Sequence, residues 1–274
     1  MQYFAVFGNP IAQSKSPAIH TMFAKQAKID IQYDAILAPF DGFTRSVSDF
    51  FALDARVGAN VTMPFKEEAF AMCDVLTDQA QSAQAVNTLF NSPQGLVGHN
   101  TDGLGLIQDL LRQAVSLKDQ RVLLIGAGGA AKGVIKALFA QQINSLHIVN
   151  RNIKRAKELV VQNQALFPNW KITAGGFDSV QHEQFDVVIN ATSLSLSGAV
   201  PPIGNHVYKD ARCVYDMVYS KEPTIFLQHA HKQGSRNLSD GLGMLVGQAA
   251  ESFTFWTGQH VDTNPVLDVL RKAM

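Results

Sequence analysis

Small residues follow a short apolar run in the middle of the chain, and their spacing is that of a phosphate-binding turn. The run at 122–125 leads into Gly126, Gly128 and Ala131, which together read as G-x-G-x-x-A. The first glycine allows a tight turn, the second lets the backbone approach a pyrophosphate, and the third small residue lets a helix pack on a sheet. The pattern predicts that a dinucleotide binds at the N-terminus of the next helix, Gly129–Ala140. A plain strand-to-helix turn is the alternative for the glycines alone.

Basic residues follow the next predicted strand, Ser145–Val149, where NAD-binding proteins usually carry an acid. That acid lies about 20 residues past the glycines and holds the ribose hydroxyls. Here the strand runs into Asn150 and Arg151, with Lys154 and Arg155 just beyond. Because these cations attract a 2′-phosphate and a carboxylate would repel it, the cluster predicts NADP. A solvated helix charge is the alternative for Arg155 alone.

Polar residues stand at the ends of predicted strands in the first hundred residues, where open parallel sheets bind ligands. Ser14 and Ser16 precede a predicted helix, and their hydroxyls could bind a carboxylate there, although Ser16 also fits an N-cap. Taken alone, Lys66 fits a solvated lysine and Asp102 an N-cap of the helix that follows it. The other polar residues at these strand ends are Asn60, Thr62, Asn87, Thr88, Asn100 and Thr101.

Strand-like and helix-like segments alternate along the chain, which predicts a mostly parallel sheet with helices on both faces. A second module, the dinucleotide-binding unit, is predicted to begin near residue 103. The predicted strands of the first module are 2–7, 32–37, 58–62, 85–90 and 96–98, with helices at 16–26, 41–53 and from 65. Further strands are predicted at 185–189 and 213–216, and further helices at 242–256 and 266–274.

Composition excludes several classes of protein. The 274 residues include 23 basic and 23 acidic residues, and this balance argues against a nucleic-acid-binding or acidic-membrane-binding surface. No apolar run approaches a membrane span and no signal peptide is visible, so we expect a cytoplasmic protein. Cys73 and Cys213 form no ligand motif and fit reduced thiols. His229 and His231 do not share a helix face, so no metal site is expected.

Successive motifs in this sequence resemble those of the shikimate dehydrogenase family, in order and through nearly the whole chain. In the first half they are Gly8-Asn9-Pro10, Ser14-Lys15-Ser16-Pro17, Asn60-Val61-Thr62-Met63-Pro64-Phe65-Lys66, Ala85-Val86-Asn87-Thr88 and Asn100-Thr101-Asp102-Gly103. In the second half they are the segment 126–131, Asn150-Arg151, Asn190-Ala191-Thr192-Ser193, Asp216-Met217-Val218-Tyr219 and Asp240-Gly241-Leu242-Gly243-Met244-Leu245.

The resemblance implies an α/β protein of two domains with the active site in the cleft between them. Residues 1–102 plus 242–274 would form a discontinuous substrate-binding catalytic domain with a mostly parallel sheet, and residues 103–241 a Rossmann-like NADP-binding domain. The implied reaction is the reversible NADPH-dependent reduction of 3-dehydroshikimate to shikimate, in the pathway to chorismate and the aromatic amino acids. The implied partner is this small-molecule substrate, bound by a monomer or homodimer.

The resemblance also implies roles for single residues. Lys66 and Asp102 match the family's catalytic pair. The matches around the substrate are Ser14, Ser16, Thr62, Lys66, Asn87, Asp102, Tyr219 and Gln248. The matches at the NADP site are Asp78, Gly126, Ala127, Gly128, Gly129, Ala130, Asn150, Arg151, Asn152, Lys154, Arg155, Met217 and Gly241. Two positions depart from the family: Asn152 replaces a common threonine, and Leu194-Ser195 replaces a pair of small residues.

Two other functions fit the same motifs. One is a quinate/shikimate dehydrogenase with relaxed substrate or NAD use, which activity on quinate would reveal and which the basic cluster argues against. The other is a non-catalytic NADP-sensing protein, which would not need both Lys66 and Asp102 and which turnover would exclude.

Overall fold

A computed structural model describes all residues, 1–274, and the chain divides into two compact units. The first unit is discontinuous and comprises Met1–Gly105 and Leu245–Ala273. The second comprises Leu106–Met244 with Met274. Each unit contains a sheet of six strands. No helix combines the length and the apolar character that crossing a membrane would require.

The elements have the following bounds. The strands are β1 (Gln2–Gly8), β2 (Ile31–Leu37), β3 (Arg56–Val61), β4 (Val75–Leu76), β5 (Thr88–Ser92), β6 (Gly95–His99), β7 (Arg121–Ile125), β8 (Ser145–Val149), β9 (Ile172–Gly175), β10 (Val187–Asn190), β11 (Cys213–Asp216) and β12 (Leu238–Asp240). The helices are α1 (Ser16–Ala27), α2 (Phe43–Phe51), α3 (Lys66–Met72), α4 (Asp78–Ala83), α5 (Asp102–Arg112), α6 (Gly129–Ala140), α7 (Ile153–Leu166), α8 (His206–Lys209), α9 (Ile225–Lys232), α10 (Leu242–Thr257) and α11 (Asn264–Ala273).

The sheet of the first unit is rich in parallel pairings but is not uniform. Its order is β2-β1-β3-β5-β6-β4, and β1 is parallel to both β2 and β3. Strand β5 is antiparallel to β3 and to β6, while β4 is parallel to β6. The strand predicted at 85–90 begins only at Thr88 and continues to Ser92, because Asn91 and Ser92 still pair with β6.

The sheet of the second unit is wholly parallel, with the order β12-β11-β10-β7-β8-β9. Counted from β7 as the first strand, this is the 3-2-1-4-5-6 order of dinucleotide-binding folds, with its switch point between β7 and β10. Successive residues of β7 contribute to two different core clusters: Val122 and Leu124 to one, Leu123 and Ile125 to the other. Burial on both faces explains the continuous apolar run in the sequence.

Helix α10 packs on the sheet of the first unit through an indole ring. Trp256 lies 5.0 Å from the ring centre of Phe4, and its Nε1 donates a hydrogen bond of 2.9 Å to the carbonyl oxygen of Leu89. A Cβ at Gly58 would overlap this indole, so glycine is required there for the close approach. The first unit therefore depends on residues from both ends of the chain.

The imidazole of His20 is buried in an aromatic cluster of the first unit, and we expect it to make stability sensitive to acid. It stacks on Tyr33 at 4.4 Å, and neither ring nitrogen has a hydrogen-bond partner. Burial lowers the pKa of His20 from 6.5 to about 3. The unfolded chain binds this proton first, so stability falls as the pH drops from about 6.5 towards 3. At 1.36 kcal/mol per pH unit, the loss by pH 5 is about 2 kcal/mol.

Urea unfolding at pH 7 and pH 5 measures this loss. In His20→Phe, which keeps an aromatic ring, the free energy of unfolding should differ between pH 7 and pH 5 by about 2 kcal/mol less than in wild type. The exposed His260 provides the control, and His260→Phe should leave the wild-type dependence unchanged. An unchanged pH dependence in His20→Phe would show that His20 does not titrate in this way.

Candidate active site

The ammonium of Lys66 lies against the carboxylate of Asp102 in the first unit. The Nζ–Oδ2 distance is 2.5 Å, and the two side chains are 18% and 7% exposed. Each residue is the first of its helix, α3 and α5. A cation at a helix N-terminus opposes the helix dipole, and the carboxylate offsets that cost. Two single-residue alternatives are therefore wrong: Lys66 is not a solvated lysine, and the carboxylate of Asp102 binds Lys66 rather than capping α5.

The amide of Asn87 holds the other oxygen of Asp102. Its Nδ2 donates to Asp102 Oδ1 at 2.8 Å, while its Oδ1 accepts from the backbone N–H of Thr101 at 3.0 Å and from the hydroxyl of Thr88 at 2.8 Å. Because the backbone N–H can only donate, these contacts fix which way the amide points. Both carboxylate oxygens of Asp102 are thus engaged, one by a cation and one by a neutral donor.

Helix α10 contributes Gln248 and Ser252 to the same polar cluster. Gln248 Oε1 lies 3.5 Å from Asn87 Nδ2 and 3.4 Å from the hydroxyl oxygen of Thr101. Ser252, one turn later, lies 2.8 Å from the hydroxyl of Thr88 and accepts from Asn60 Nδ2 at 3.0 Å. The family resemblance implied Gln248 but not Ser252. The i, i+4 spacing of two polar residues in an apolar helix was the available signal.

A second missed residue, Tyr33, lies beneath this cluster. Its hydroxyl donates to Asn60 Oδ1 at 2.7 Å, and Asn60 Nδ2 in turn donates to the carbonyl oxygen of Asn87 at 3.0 Å. Tyr33 lies on β2, in a segment predicted to be a strand and given no functional role. No local pattern pairs a residue on β2 with Asn60, so this support was invisible in the sequence.

The serines predicted to bind a carboxylate follow β1, and Thr62 follows β3, which is parallel to β1. These residues therefore lie at the same edge of the sheet. The expectation that Ser16 caps α1 is wrong: Lys15 occupies the N-cap position without a side-chain cap, and Ser16 is the first helical residue. Ser14 Oγ instead accepts from the backbone N–H of Ser16 at 3.3 Å. The hydroxyl of Ser16 is not used as a cap.

The glycine-rich turn of the second unit leaves room for a ligand to approach the protein backbone. Gly126 has φ +114°, and a Cβ there would lie 3.2 Å from the carbonyl oxygen of Ala191. Gly128 is the N-cap residue of α6, and no atom lies within 4 Å of where its Cβ would be. The N-terminal N–H groups of α6 have no side-chain cap, which fits the pyrophosphate of a dinucleotide. Ala127, Gly129 and Ala130 complete this turn.

The predicted 2′-phosphate site lies at the carboxyl end of β8. Arg151, Lys154 and Arg155 are exposed there. Asn152 is the N-cap of α7, with its side chain accepting from the backbone N–H of Lys154 at 3.1 Å, and Asn150 Nδ2 donates to the carbonyl oxygen of Asn152 at 2.9 Å. Asn152 thus performs a capping role that a threonine can also perform. The exposed cations fit a phosphate group.

Met217 and Gly241, predicted near the nicotinamide, are in contact with each other. A Cβ at Gly241 would overlap the carbonyl oxygen of Met217, and Gly241 N donates to the carbonyl oxygen of Val218 at 3.3 Å. Tyr219, also in the second unit, is half-buried, and burial raises its pKa. Asp78 lies in the first unit, exposed in the first turn of α4. No group of three or more His, Cys, Asp or Glu side chains could hold a metal ion.

Comparison with known proteins covers both units. Residues 6–89 match the shikimate dehydrogenase substrate binding domain, residues 109–197 the shikimate / quinate 5-dehydrogenase family, and residues 241–271 the shikimate 5′-dehydrogenase C-terminal domain. Shikimate dehydrogenase (NADP(+)) of Nitrosospira multiformis is 46% identical over 273 residues, which is 99% of this chain and 98% of that protein. The chain belongs to the shikimate dehydrogenase family.

Solved structures of similar proteins agree in fold. An Ael1 enzyme from Pseudomonas putida has a TM-score of 0.92 at 36% identity, over 98% of each chain. Shikimate 5-dehydrogenase from Thermus thermophilus, in complex with NADP(H) and shikimate, has a TM-score of 0.87 at 30% identity, over 100% of each chain. The two-domain α/β fold expected for a shikimate dehydrogenase is confirmed.

Residues that match functional positions of the shikimate dehydrogenase family lie together in the first unit. The two positions that match the family's catalytic pair are 36 residues apart in sequence and in direct contact in the structure. Asn87 and Gln248, which match substrate-binding positions, join the same hydrogen-bonded cluster.

Proposed function

We propose that this chain catalyses the reversible NADPH-dependent reduction of 3-dehydroshikimate to shikimate, a step towards chorismate and the aromatic amino acids. The observation that carries the proposal is the 2.5 Å contact of Lys66 with Asp102, in a chain 46% identical to a shikimate dehydrogenase (NADP(+)). Residues 1–102 plus 242–274 are assigned to substrate binding and catalysis, and residues 103–241 to NADP binding.

Reduction of a ketone requires a hydride at the carbonyl carbon and a proton at the carbonyl oxygen. NADPH supplies the hydride when bound, and NADP⁺ accepts it in the reverse direction. Lys66 is the proton donor, because its side chain is only 18% exposed and its ammonium is held by the carboxylate of Asp102. In the oxidation of shikimate the neutral amine of Lys66 takes the hydroxyl proton. Asp102 orients Lys66 and accepts a hydrogen bond from the neighbouring substrate hydroxyl.

Other polar residues of the first unit bind the substrate in this proposal. Ser14 and Ser16 bind the carboxylate, which fits a Ser16 hydroxyl that does not cap α1. Thr62, Asn87, Gln248 and Tyr219 match the family's positions for the ring hydroxyls and are proposed to bind them.

The cofactor site is proposed to take NADP through the glycine turn and the cations after β8. The open N-terminus of α6 binds the pyrophosphate, while Arg151, Lys154 and Arg155 bind the 2′-phosphate. Met217 and Gly241 line the nicotinamide. The resemblance adds Asp78 to this set.

Arg151→Ala is expected to weaken NADP use selectively. A hydrogen bond between charged groups contributes about 1.5–3 kcal/mol, so kcat/KM for NADP should fall about 10- to 150-fold. NAD has no 2′-phosphate, and its kcat/KM should change little. Steady-state kinetics with both cofactors measure the difference. Lys157→Ala, which removes an exposed cation from α7, the helix that begins just after Arg151, is the control and should leave both values unchanged. Equal losses of kcat/KM for NADP and NAD would show that Arg151 does not bind the 2′-phosphate.

The proposed function is tested by absorbance at the nicotinamide band, with shikimate and quinate each paired with NADP and NAD. Shikimate with NADP should give the highest kcat/KM. Comparable turnover of quinate, or with NAD, would favour a relaxed quinate/shikimate dehydrogenase. NADP binding without turnover of either substrate would favour a sensing protein and contradict the proposal.

We place this activity in the cytoplasm, in a monomer or homodimer acting on a small-molecule substrate. Both cysteines are free in the structure, and Cys213 is buried. Free thiols suit a reducing compartment.

A further inference from the structure

A buried carboxylate stands at the end of β11 with only neutral hydrogen-bond donors around it. Asp216 is 0% exposed. Its Oδ2 accepts from the hydroxyls of Ser195 and Thr224, each at 2.6 Å. Its Oδ1 accepts from Asn190 Nδ2 at 2.9 Å and from the backbone N–H of Val218 at 3.1 Å. Four donors favour the charged form of a buried carboxylate, whereas burial disfavours it.

These donors come from three separate segments. Asn190 and Ser195 belong to the end of β10 and the loop after it, Val218 to the loop after β11, and Thr224 is the N-cap of α9. Asn190 extends the network, because its Oδ1 accepts from both the backbone N–H and the hydroxyl of Thr192, at 3.1 and 2.7 Å. One carboxylate therefore fixes two loops at the carboxyl edge of the parallel sheet, the edge at which such sheets bind dinucleotides.

Ser195 lies in the loop that follows β10. It is the second residue of a short 3₁₀ turn, Leu194–Ser197. The hydroxyl of Ser195 makes one of the two shortest bonds to Asp216. Ser197, in the same turn, donates instead to the carbonyl oxygen of Leu194 at 2.9 Å. The two serines lie in the same turn, but Ser195 is half-buried and bonded to Asp216, whereas Ser197 is exposed and bonded to the backbone.

We propose that Asp216, acting through Ser195, is a positioning residue that holds the loops after β10 and β11 in the conformation that binds NADP(H). Neither side chain needs to touch the cofactor, since the carboxylate is buried and its bonds end on loop residues. The inference rests on the proposed function for the identity of the dinucleotide.

The test measures NADP⁺ binding to the full chain without substrate, by titration calorimetry, beside the KM for shikimate. Ser195→Ala should raise the Kd for NADP⁺ about tenfold, as expected for a lost hydrogen bond to a charged group, and leave the KM for shikimate within about twofold. Ser195→Thr keeps the hydroxyl and should restore most of the affinity. Ser197→Ala is the matched control and should bind NADP⁺ like wild type. Asp216→Asn should raise the Kd for NADP⁺ more than Ser195→Ala does.

A wild-type Kd for NADP⁺ in a folded Ser195→Ala protein would overturn the inference, and so would an equal loss in Ser197→Ala. If Asp216→Asn does not fold, as judged by its melting transition, the Ser195 variants alone test the inference. Failure of this inference leaves wild-type turnover of shikimate intact. Failure of the proposed function would instead appear as no turnover in wild type, whatever the Ser195 variants do to NADP⁺ binding.

Discussion

Lys66→Met is expected to lower kcat for shikimate oxidation about 10²–10⁴-fold, the range for loss of a positioned general acid–base. Methionine keeps much of the apolar stem and removes the ammonium, so the fold and the cofactor site should persist. The Kd for NADP⁺ should stay near wild type, because Lys66 is not among the residues proposed to bind the cofactor. The KM for shikimate should rise less than kcat falls, since Asn87, Asp102 and the serines remain.

The control for this variant is Lys25→Met, which removes an exposed ammonium from α1 of the same unit and should leave kcat unchanged. Melting curves of both variants separate loss of chemistry from loss of fold. A folded Lys66→Met protein with near wild-type kcat would remove Lys66 from the mechanism and leave its contact with Asp102 as a structural ion pair.

Asp102→Asn is expected to lower kcat by a similar factor, at least about 10²-fold. The neutral amide cannot hold the ammonium of Lys66 as an anion does, and only one of its two terminal atoms can accept a hydrogen bond. In the wild type one oxygen binds Lys66 and the other binds Asn87, so the substitution disturbs both contacts. Steady-state kinetics measure the loss, and Asp49→Asn, an exposed site on α2, should have no effect.

The double variant tests whether the two residues act together. Its loss in kcat should be smaller than the product of the two single losses, because residues that act as a unit are non-additive. A loss equal to that product would mean that Lys66 and Asp102 act independently, despite their 2.5 Å contact.

Local sequence patterns predicted the cofactor unit closely. Helix α6 and strand β8 have the predicted bounds, Gly129–Ala140 and Ser145–Val149. The glycines fix where the turn falls, and a strand buried on both faces is apolar along its length. Helix α2 was predicted at 41–53 and spans Phe43–Phe51, an error at both ends typical of helices without strong capping signals.

The polar cluster of the first unit shows why the same reasoning was less successful there. Residues at helix starts such as Ser16 and Asp102 have the types that cap helices, but tertiary partners decide how such side chains are used. Ser252 and Tyr33 support Asn60 across 192 and 27 residues of sequence, and no local period connects those positions. The family resemblance supplied the proposed catalytic pair, Lys66 and Asp102. The hydrogen-bonded residues that support it were found only in the structure.

Product analysis tests the central claim most directly. Purified chain is mixed with 3-dehydroshikimate and NADPH, and NADP⁺ and the organic product are quantified together, with Lys66→Met run in parallel. The account predicts shikimate and NADP⁺ in equal amounts from wild type, and about 10²–10⁴-fold slower formation from Lys66→Met that still binds NADP⁺. A wild-type protein that binds NADP⁺ but forms no shikimate, or a Lys66→Met protein that forms it at the wild-type rate, would contradict the account.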